Sequence, residues 1–356
     1  MKKIDWYILK KFLGTYFFML LIIMILAMVF DVAERLSEFI QNNATWGDIF
    51  GMYYLNFFIF YGMMFSSLIV FISVIWFTAK MAQNSEIIPI LNSGRPFTRF
   101  LRPYIVGAAF LTVITLLMNH FVLPNSNKQR LNFEEKYYRM AHTVESYHGE
   151  FPGQRYVFFE NYNSDDSLIL RFSMEQWENG KPIYYIKAQE AKNDPATKRW
   201  YFKDYYERRI GKDQDYLKEG LVKDTVLSFS SADMIERETA ASTKGFSDLK
   251  AYIKREKDKG SAQVAVAEIE LYARTAYPFA IFILTIIGVS VSSRKTRGGI
   301  GVNLTIGFIF VFIYLITLQI MTASAVKVGF PAMLAVWVPN FIFGVMAFFL
   351  YRIAPK

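Results

Sequence analysis

QNSEIIPILNSGRPFTRFLRP, residues 83–103, is a polar stretch set between two long runs that carry no charge. It is too polar to cross a membrane and too short to fold alone. Ile87, Ile88, Ile90 and Leu91 sit beside a single acid, Glu86, and are followed by Gly94 and three arginines. Whether the flanking runs span a membrane decides the fold.

Runs without Asp, Glu, Lys or Arg extend over 12–30, 49–79, 103–127, 275–293, 298–326 and 328–351. About 20 helical residues cross a hydrocarbon core of about 30 Å, so all six are long enough. Six such runs in a chain that is 53% hydrophobic and 17% aromatic argue against the buried helices of a large soluble protein. The first run is longer than the apolar core of a signal peptide, and no small-x-small cleavage site follows it. It is therefore expected to be a span.

The stretch 128–267 differs, with 24 basic and 23 acidic residues. The net charge of +9 thus belongs mostly to the membrane part, and no basic patch interleaved with aromatics suggests nucleic acid. Lys2, Lys3, Lys10, Lys11, Lys80, Arg95, Arg99, Arg102, Arg294, Lys295, Arg297, Arg352 and Lys356 fall on one side of the six spans. Arg35, Lys327 and Arg274 fall on the other. The positive-inside rule then places both termini and the 83–103 loop in the cytoplasm and the 128–267 insertion outside.

Within the insertion, RYVFFENYN and SLILRFSME flank the turn-like NSDDS, and KPIYYIKAQEA and RWYFKDYYERRI flank KNDPATK, with turn chemistry at Asn193, Asp194 and Pro195. LVKDTVLSFS is a further strand candidate. Strands at this spacing predict an antiparallel sandwich or jelly roll, whose aromatics either fill its own core or line an open groove. A short amphipathic helix is expected at about 247–259, capped by Ser247, with Leu249, Tyr252 and Ile253 on its apolar face and Gly260 as its stop. The expected organisation is 1–127 with spans one to three, 128–267 as the β-domain and 268–356 with spans four to six. The fold class is a polytopic α-helical membrane protein, three spans plus three, with an inserted all-β, jelly-roll-like periplasmic domain.

Chemistry is sparse. The chain has no phosphate-loop motif, no HExxH, no GxSxG and no cysteine. His120, His142 and His148 lack metal-ligand spacing. TRGGIGVN opens a span and suits close helix packing better than phosphate binding. Asp31, Glu34 and Arg35, and Glu268, Glu270 and Arg274, lie at outer span ends, where they serve either function or interfacial anchoring. No enzyme and no metal or cofactor bound by this chain is expected. The 83–103 loop is expected to hold a short helix over about 84–94, capped by Asn84 or Ser85 and ended by Gly94. Such a helix either docks on a separate ATP-binding protein or rests among lipid headgroups.

SEIIPILNSGRPFTRFLRP resembles the coupling-helix region of the lipopolysaccharide export permeases, the LptF/LptG family. The segment 246–299 is similar to that family's membrane-entry helix, its Glu-x-x-x-Arg-x-x-x-Pro pattern (Glu270, Arg274, Pro278) and the basic Gly-rich loop that follows. YYIKAQEAKNDPATKRWYFKDYYERR resembles a strand pair of its outward β-domain. The resemblance covers essentially the whole chain. It implies an inner-membrane permease subunit, multi-pass, that works with a paralogous LptF or LptG partner. An LptB-like ATPase dimer would supply ATP and Mg chemistry, and LptC- and LptA-like jelly-roll proteins would receive the lipopolysaccharide. Glu86, with Ile87, Ile88, Ile90, Leu91 and Gly94, is then the ATPase-coupling element. Arg35, Glu270 and Arg274 are candidates for lipid contact, and Gly298, Gly299, Gly301 and Gly307 for a lateral gate between spans one and five. Pro89 departs from the family pattern, so the coupling helix must kink there or start later than the pattern suggests. The rival expectation is a membrane-anchored scaffold or sensor whose β-domain binds a periplasmic ligand.

Overall fold

The structure is a computed structural model that describes residues 3–354 except 95, 138–142, 152, 164–167, 195, 196, 198, 212, 213, 228, 230–239, 259, 260, 262, 296 and 297. The proposed turns over 164–167 and at Pro195, the Gly260 stop, His142, Lys2, Arg95, Arg297 and Lys356 lie outside the described residues. The helices are α1 (Lys3–Gln41), α2 (Leu55–Met64), α3 (Ser66–Gln83), α4 (Ile87–Asn92), α5 (Phe97–Leu117) and α6 (Leu123–Tyr137). Strands β1 (Thr143–Phe151), β2 (Arg155–Asn163), β3 (Leu168–Glu178), β4 (Lys181–Asp194), β5 (Arg199–Ile210) and β6 (Asp215–Val226) follow. Then come α7 (Ala240–Thr243), α8 (Phe246–Asp258), α9 (Gln263–Ser292), α10 (Gly299–Val328) and α11 (Ala332–Ile353). Among the described residues, six helical stretches are long and apolar enough to cross a membrane: Lys3–Gln41, Ser66–Gln83, Phe97–Tyr137, Gln263–Ser292, Gly299–Val328 and Ala332–Ile353. The chain divides into a membrane unit and a second unit spanning Glu134–Ala240 and Ala251–Val264.

In the membrane unit, α3 and α9 are the inner helices. Phe71 and Ile75 of α3 pack against Ala280, Leu284 and Ile287 of α9, Val311 and Tyr314 of α10, and Phe343 and Ala347 of α11. Asn340 donates to the Ala276 carbonyl at 2.7 Å and accepts from the Tyr314 hydroxyl at 3.1 Å, which ties α9, α10 and α11 together. A polar group left unpaired in hydrocarbon would be costly, and this buried amide is satisfied on both sides. The run 49–79, expected as one span, is built in pieces. A π-helical segment (Asp48–Tyr54) and α2 precede a break at Phe65 (φ −94°, ψ 2°), and α3 begins after it.

Proline shapes α9. Pro278 has no N–H to offer the carbonyl of Arg274, four residues back. Asn119, in the π-helical turn Met118–Val122 that follows α5, turns its side-chain amide to that carbonyl at 3.5 Å, and Thr112 of α5 donates to the Pro278 carbonyl at 3.3 Å.

Among its described residues, the second unit carries the expected all-β insertion as one six-stranded antiparallel sheet in sequence order, β1 to β6. Four strand candidates from the sequence correspond to β2–β5, and LVKDTVLSFS overlaps the end of β6. β1 was not anticipated, because His148, Gly149 and Glu150 interrupt its apolar pattern. The core is one aromatic cluster of Phe151, Phe159, Tyr162, Phe172, Trp200, Phe202, Tyr205 and Phe229, with the Trp200 indole donating to the Phe229 carbonyl at 3.0 Å. The inward alternation resets along one line across the sheet. Buried positions run Val157, Phe159 and then Tyr162 on β2; Met174, Phe172 and then Ile169 on β3; Ile186, Ala188 and then Ala191 on β4; Tyr205 and then Phe202 on β5. On each strand two successive residues between these positions stay out of the core. Arg171 (φ 51°) and Asp204 (φ 50°) lie on that line in left-handed conformation. Such a residue bends a strand, as a bulge does, so long strands curve around one core.

Candidate functional site

The 83–103 loop is helical only over α4. Asn84 caps the end of α3, and Ser85 at φ 59° breaks the backbone between the two helices, so α4 starts later than the expected 84. Pro89 is the third residue of α4. The first four N–H groups of a helix have no internal acceptor, so proline costs no hydrogen bond there and α4 needs no kink at it. The Pro89 carbonyl still accepts from the Ser93 N–H at 3.1 Å, and Gly94 at φ 75° turns the chain out of the helix.

The apolar residues of α4 divide by direction. Ile87 is buried (2% exposed) and holds the loop to the membrane unit, whereas Ile88 is half exposed (51%). Ile90 and Leu91 are partly exposed. Glu86, beside them, accepts from the Tyr7 hydroxyl at 3.3 Å and from the Asn84 amide at 3.2 Å. Lys295, in the loop before α10, donates to the Ser85 hydroxyl at 3.2 Å.

At the outer end of α1, Asp31 accepts from Tyr53 at 3.1 Å and Tyr54 at 3.2 Å and lies 3.6 Å from Arg35. Arg35 also meets Glu38 at 3.5 Å and Glu34 at 3.9 Å. Arg274 is buried and fully engaged: it pairs with Glu270 at 2.9 Å and donates to the carbonyls of Lys244 at 3.0 Å and Ala241 at 3.3 Å. Its donors hold α7 to α9, while Glu270 keeps part of its surface open. The four candidate glycines also separate. A side chain at Gly307 would collide with Ile75 of α3, so this glycine permits a close α3–α10 approach, while Gly301 meets nothing. Gly298 and Gly299 form the turn into α10, Gly299 at φ 70°.

In the second unit, a cavity of about 460 Å³ opens between β3, β4, β5 and β6. Met174, Ile186, Phe202 and Leu227 line it, and Arg155, Arg209 and Lys223 stand among them. Glu207, behind the lining residues Lys223 and Tyr184, is buried and bonds Lys223, and the Tyr184 hydroxyl donates to it at 3.0 Å. Burial alone would raise the Glu207 carboxyl, but Lys223, Tyr184 and Arg209 outweigh it and hold the group below its ordinary 4.5. Tyr184 is pushed up, first by burial and then by Glu207, and stays protonated as the donor. A carboxylate whose folded value is depressed stabilises the fold above the ordinary value, and that contribution is lost as pH falls through the folded one. Glu207→Gln is therefore expected to cost the β-domain about 1–3 kcal/mol at pH 7. It should also flatten the loss of stability below pH about 4.5, which unfolding curves across pH 3–7 on both proteins would check.

Sequence reasoning missed the residues that brace these sites: Tyr53 and Tyr54 on Asp31, Asn340 and Tyr314, and Asp5 with Tyr7 near the loop. Asp5 carried the one available signal, as the only acid among Lys2, Lys3, Lys10 and Lys11. Among the described residues no group of three or more His, Cys, Asp or Glu is placed to hold a metal ion.

A family model described as "Lipopolysaccharide export system permease LptF/LptG" matches residues 6–353. The chain belongs to the LptF/LptG family. No curated protein sequence matches it. As an LptF/LptG permease it serves lipopolysaccharide export and is a multi-pass inner-membrane protein. Its β-domain lies in the periplasm, and an odd number of spans separates that domain from residue 3, so the start of α1 faces the cytoplasm. The family is one of transport subunits rather than enzymes.

Proposed function

We propose that this LptF/LptG chain is the non-catalytic permease half of an ATP-driven exporter, which extracts lipopolysaccharide from the inner membrane and passes it to a periplasmic bridge. The observation that carries the reading is the cytoplasmic α4 between the second and third spans, with Glu86 beside the outward Ile88, Ile90 and Leu91. This is a compact patch of one acid and apolar anchors, suited to a groove on a separate protein. An LptB-like ATPase dimer is the proposed occupant and the holder of ATP and Mg. Ile87 and Gly94 act in this reading by positioning, one through burial and one through the chain turn.

The paralogous permease is assigned to the faces of α1 and α10. In their most apolar windows only 22% and 17% of the residues are buried, against 72% in α3. The lateral gate would lie there, with the Gly298–Gly307 stretch at one end of α10. Acyl chains fit the apolar wall of the β-domain cavity, and β6 offers a passage onward. Tyr216, Leu217, Leu221, Val222 and Val226 of this edge strand are exposed, and its outer edge pairs with no described strand. An LptC-like partner, and LptA beyond it, could extend the sheet by edge pairing. Arg35 is proposed to meet lipid phosphate beside Asp31. Glu270 and Arg274 are assigned to holding the outer ends of the helices rather than to direct lipid contact.

The test is purification in mild detergent from the native membrane, with identification of bound proteins and lipids. The exporter reading expects an ATP-binding subunit, a second six-span permease and lipopolysaccharide. The chain alone, or a homo-oligomer without ATPase under conditions that keep known exporters intact, would favour the scaffold or sensor.

A further inference from the structure

The loop that carries α4 is joined by the chain to α3 and α5, yet side chains fasten both of its ends to α1. Before α4, Glu86 accepts from Tyr7 at 3.3 Å. After it, Arg99, in the first turn of α5 where the loop ends, donates to Asp5 at 2.6 Å. Asp5 and Tyr7 lie two residues apart on α1, and Glu86 and Arg99 bracket α4.

The two contacts differ in kind. Asp5–Arg99 is short and its carboxylate is buried, with only 4% of the side chain exposed, so it is a strong charge-assisted bond. Tyr7–Glu86 is long for a hydroxyl on a carboxylate and is exposed to solvent. A cation brought to Glu86 by a docking protein would displace a neutral hydroxyl held that loosely. The fastened end of α1 is packed, with Ile8, Leu9 and Phe12 buried, whereas only 22% of the helix's most apolar window is buried.

We propose that Asp5 and Tyr7 are positioning residues that make α1 the helix driven by the loop: Asp5–Arg99 is the fixed link, and Tyr7–Glu86 a latch released when the ATPase occupies Glu86. This rests on the exporter reading above for its trigger, but not for its geometry.

The geometry is tested on the full chain without partners. The chain has no cysteine, so Lys10→Cys with Asn92→Cys gives two clean spin-label sites, one on α1 and one at the end of α4. A narrow distance distribution is expected with the links intact, and a broad one when Tyr7→Phe and Arg99→Gln are added. Equal widths would overturn the proposal, whatever the ATPase does.

The coupling role is tested in the assembled exporter by reading ATP hydrolysis and lipid release together. Tyr7→Phe should change neither reading, because the docked ATPase has already released that latch, whereas Asp5→Asn should leave hydrolysis near the parent rate. Lipid released per ATP by the Asp5→Asn chain should fall about fivefold, a size that changes along a coupling path carry. Asp5→Arg combined with Arg99→Asp should recover part of the loss. For Asp5→Asn, hydrolysis and release falling in proportion, or release unchanged, would overturn the coupling role. Failure to recover any ATPase with the parent chain would sink the exporter reading, and the trigger with it, while the distance measurement still decides whether α1 and α4 are linked.

Discussion

Glu86→Lys is expected to lower lipid export at least about tenfold and leave the chain folded. The side chain is partly exposed, and its two partners, Tyr7 and Asn84, are neutral and at 3.2–3.3 Å. Losing them should move stability by no more than about 0.5 kcal/mol, as for other surface substitutions. The effect on docking is far larger. If Glu86 meets a cation of the ATPase, reversal places two like charges together at the centre of the contact, which costs several kcal/mol. Each 1.4 kcal/mol is about tenfold in affinity, so export should fall by at least about tenfold. Glu86→Gln keeps the shape and removes only the attraction, so it should fall between the two. Export measured in cells that depend on the variant, beside thermal unfolding in detergent, separates docking from folding. Normal export by the Glu86→Lys chain would end the assignment of Glu86.

How much of this was legible depends on how far apart in the chain the cause and the consequence lie. The spans were readable because hydrocarbon excludes charge, and six uncharged runs record that exclusion directly. The break at Phe65 was not, since an aromatic residue at a helix interruption leaves no mark in hydropathy. β2 to β5 were readable from β-branched and aromatic alternation, but the line on which the alternation resets was not. Leu170–Arg171 and Lys203–Asp204 look like ordinary outward positions until Arg171 and Asp204 are seen in left-handed conformation. In the loop, Glu86 and the apolar residues stand out locally, whereas the direction of Ile87 and Ile88 depends on what packs beneath them. Asp5 and Tyr7 meet partners 94 and 79 residues away, and no single-sequence pattern reports such a pairing.

Arg274→Ala is expected to destabilise the membrane unit by about 3–5 kcal/mol, the cost of breaking a buried, hydrogen-bonded charge pair. The side chain ends among three acceptors, the Glu270 carboxylate and the carbonyls of Lys244 and Ala241. Alanine removes a donor from all three, although the Ala241 carbonyl keeps the Lys244 N–H at 3.4 Å, and both carbonyls belong to the backbone around α7. The same residue is where α9 needs help from outside. Pro278 cannot donate to the Arg274 carbonyl, and the Asn119 amide that turns to it comes from the segment after α5. Side chain and main chain of one residue thus join α7, α9 and the α5–α6 connection at the outer end of the spans. Arg274→Lys keeps the charge but replaces a planar fork by a single ammonium, which cannot reach three spread acceptors with the same geometry. It should recover less than half of the loss. Unfolding titrations in mixed micelles measure both variants against the parent. The decisive comparison is with Glu270→Gln, which removes only the partly exposed partner. If Arg274→Ala costs no more than Glu270→Gln, the carbonyl contacts carry no weight and Arg274 returns to being a candidate for lipid phosphate.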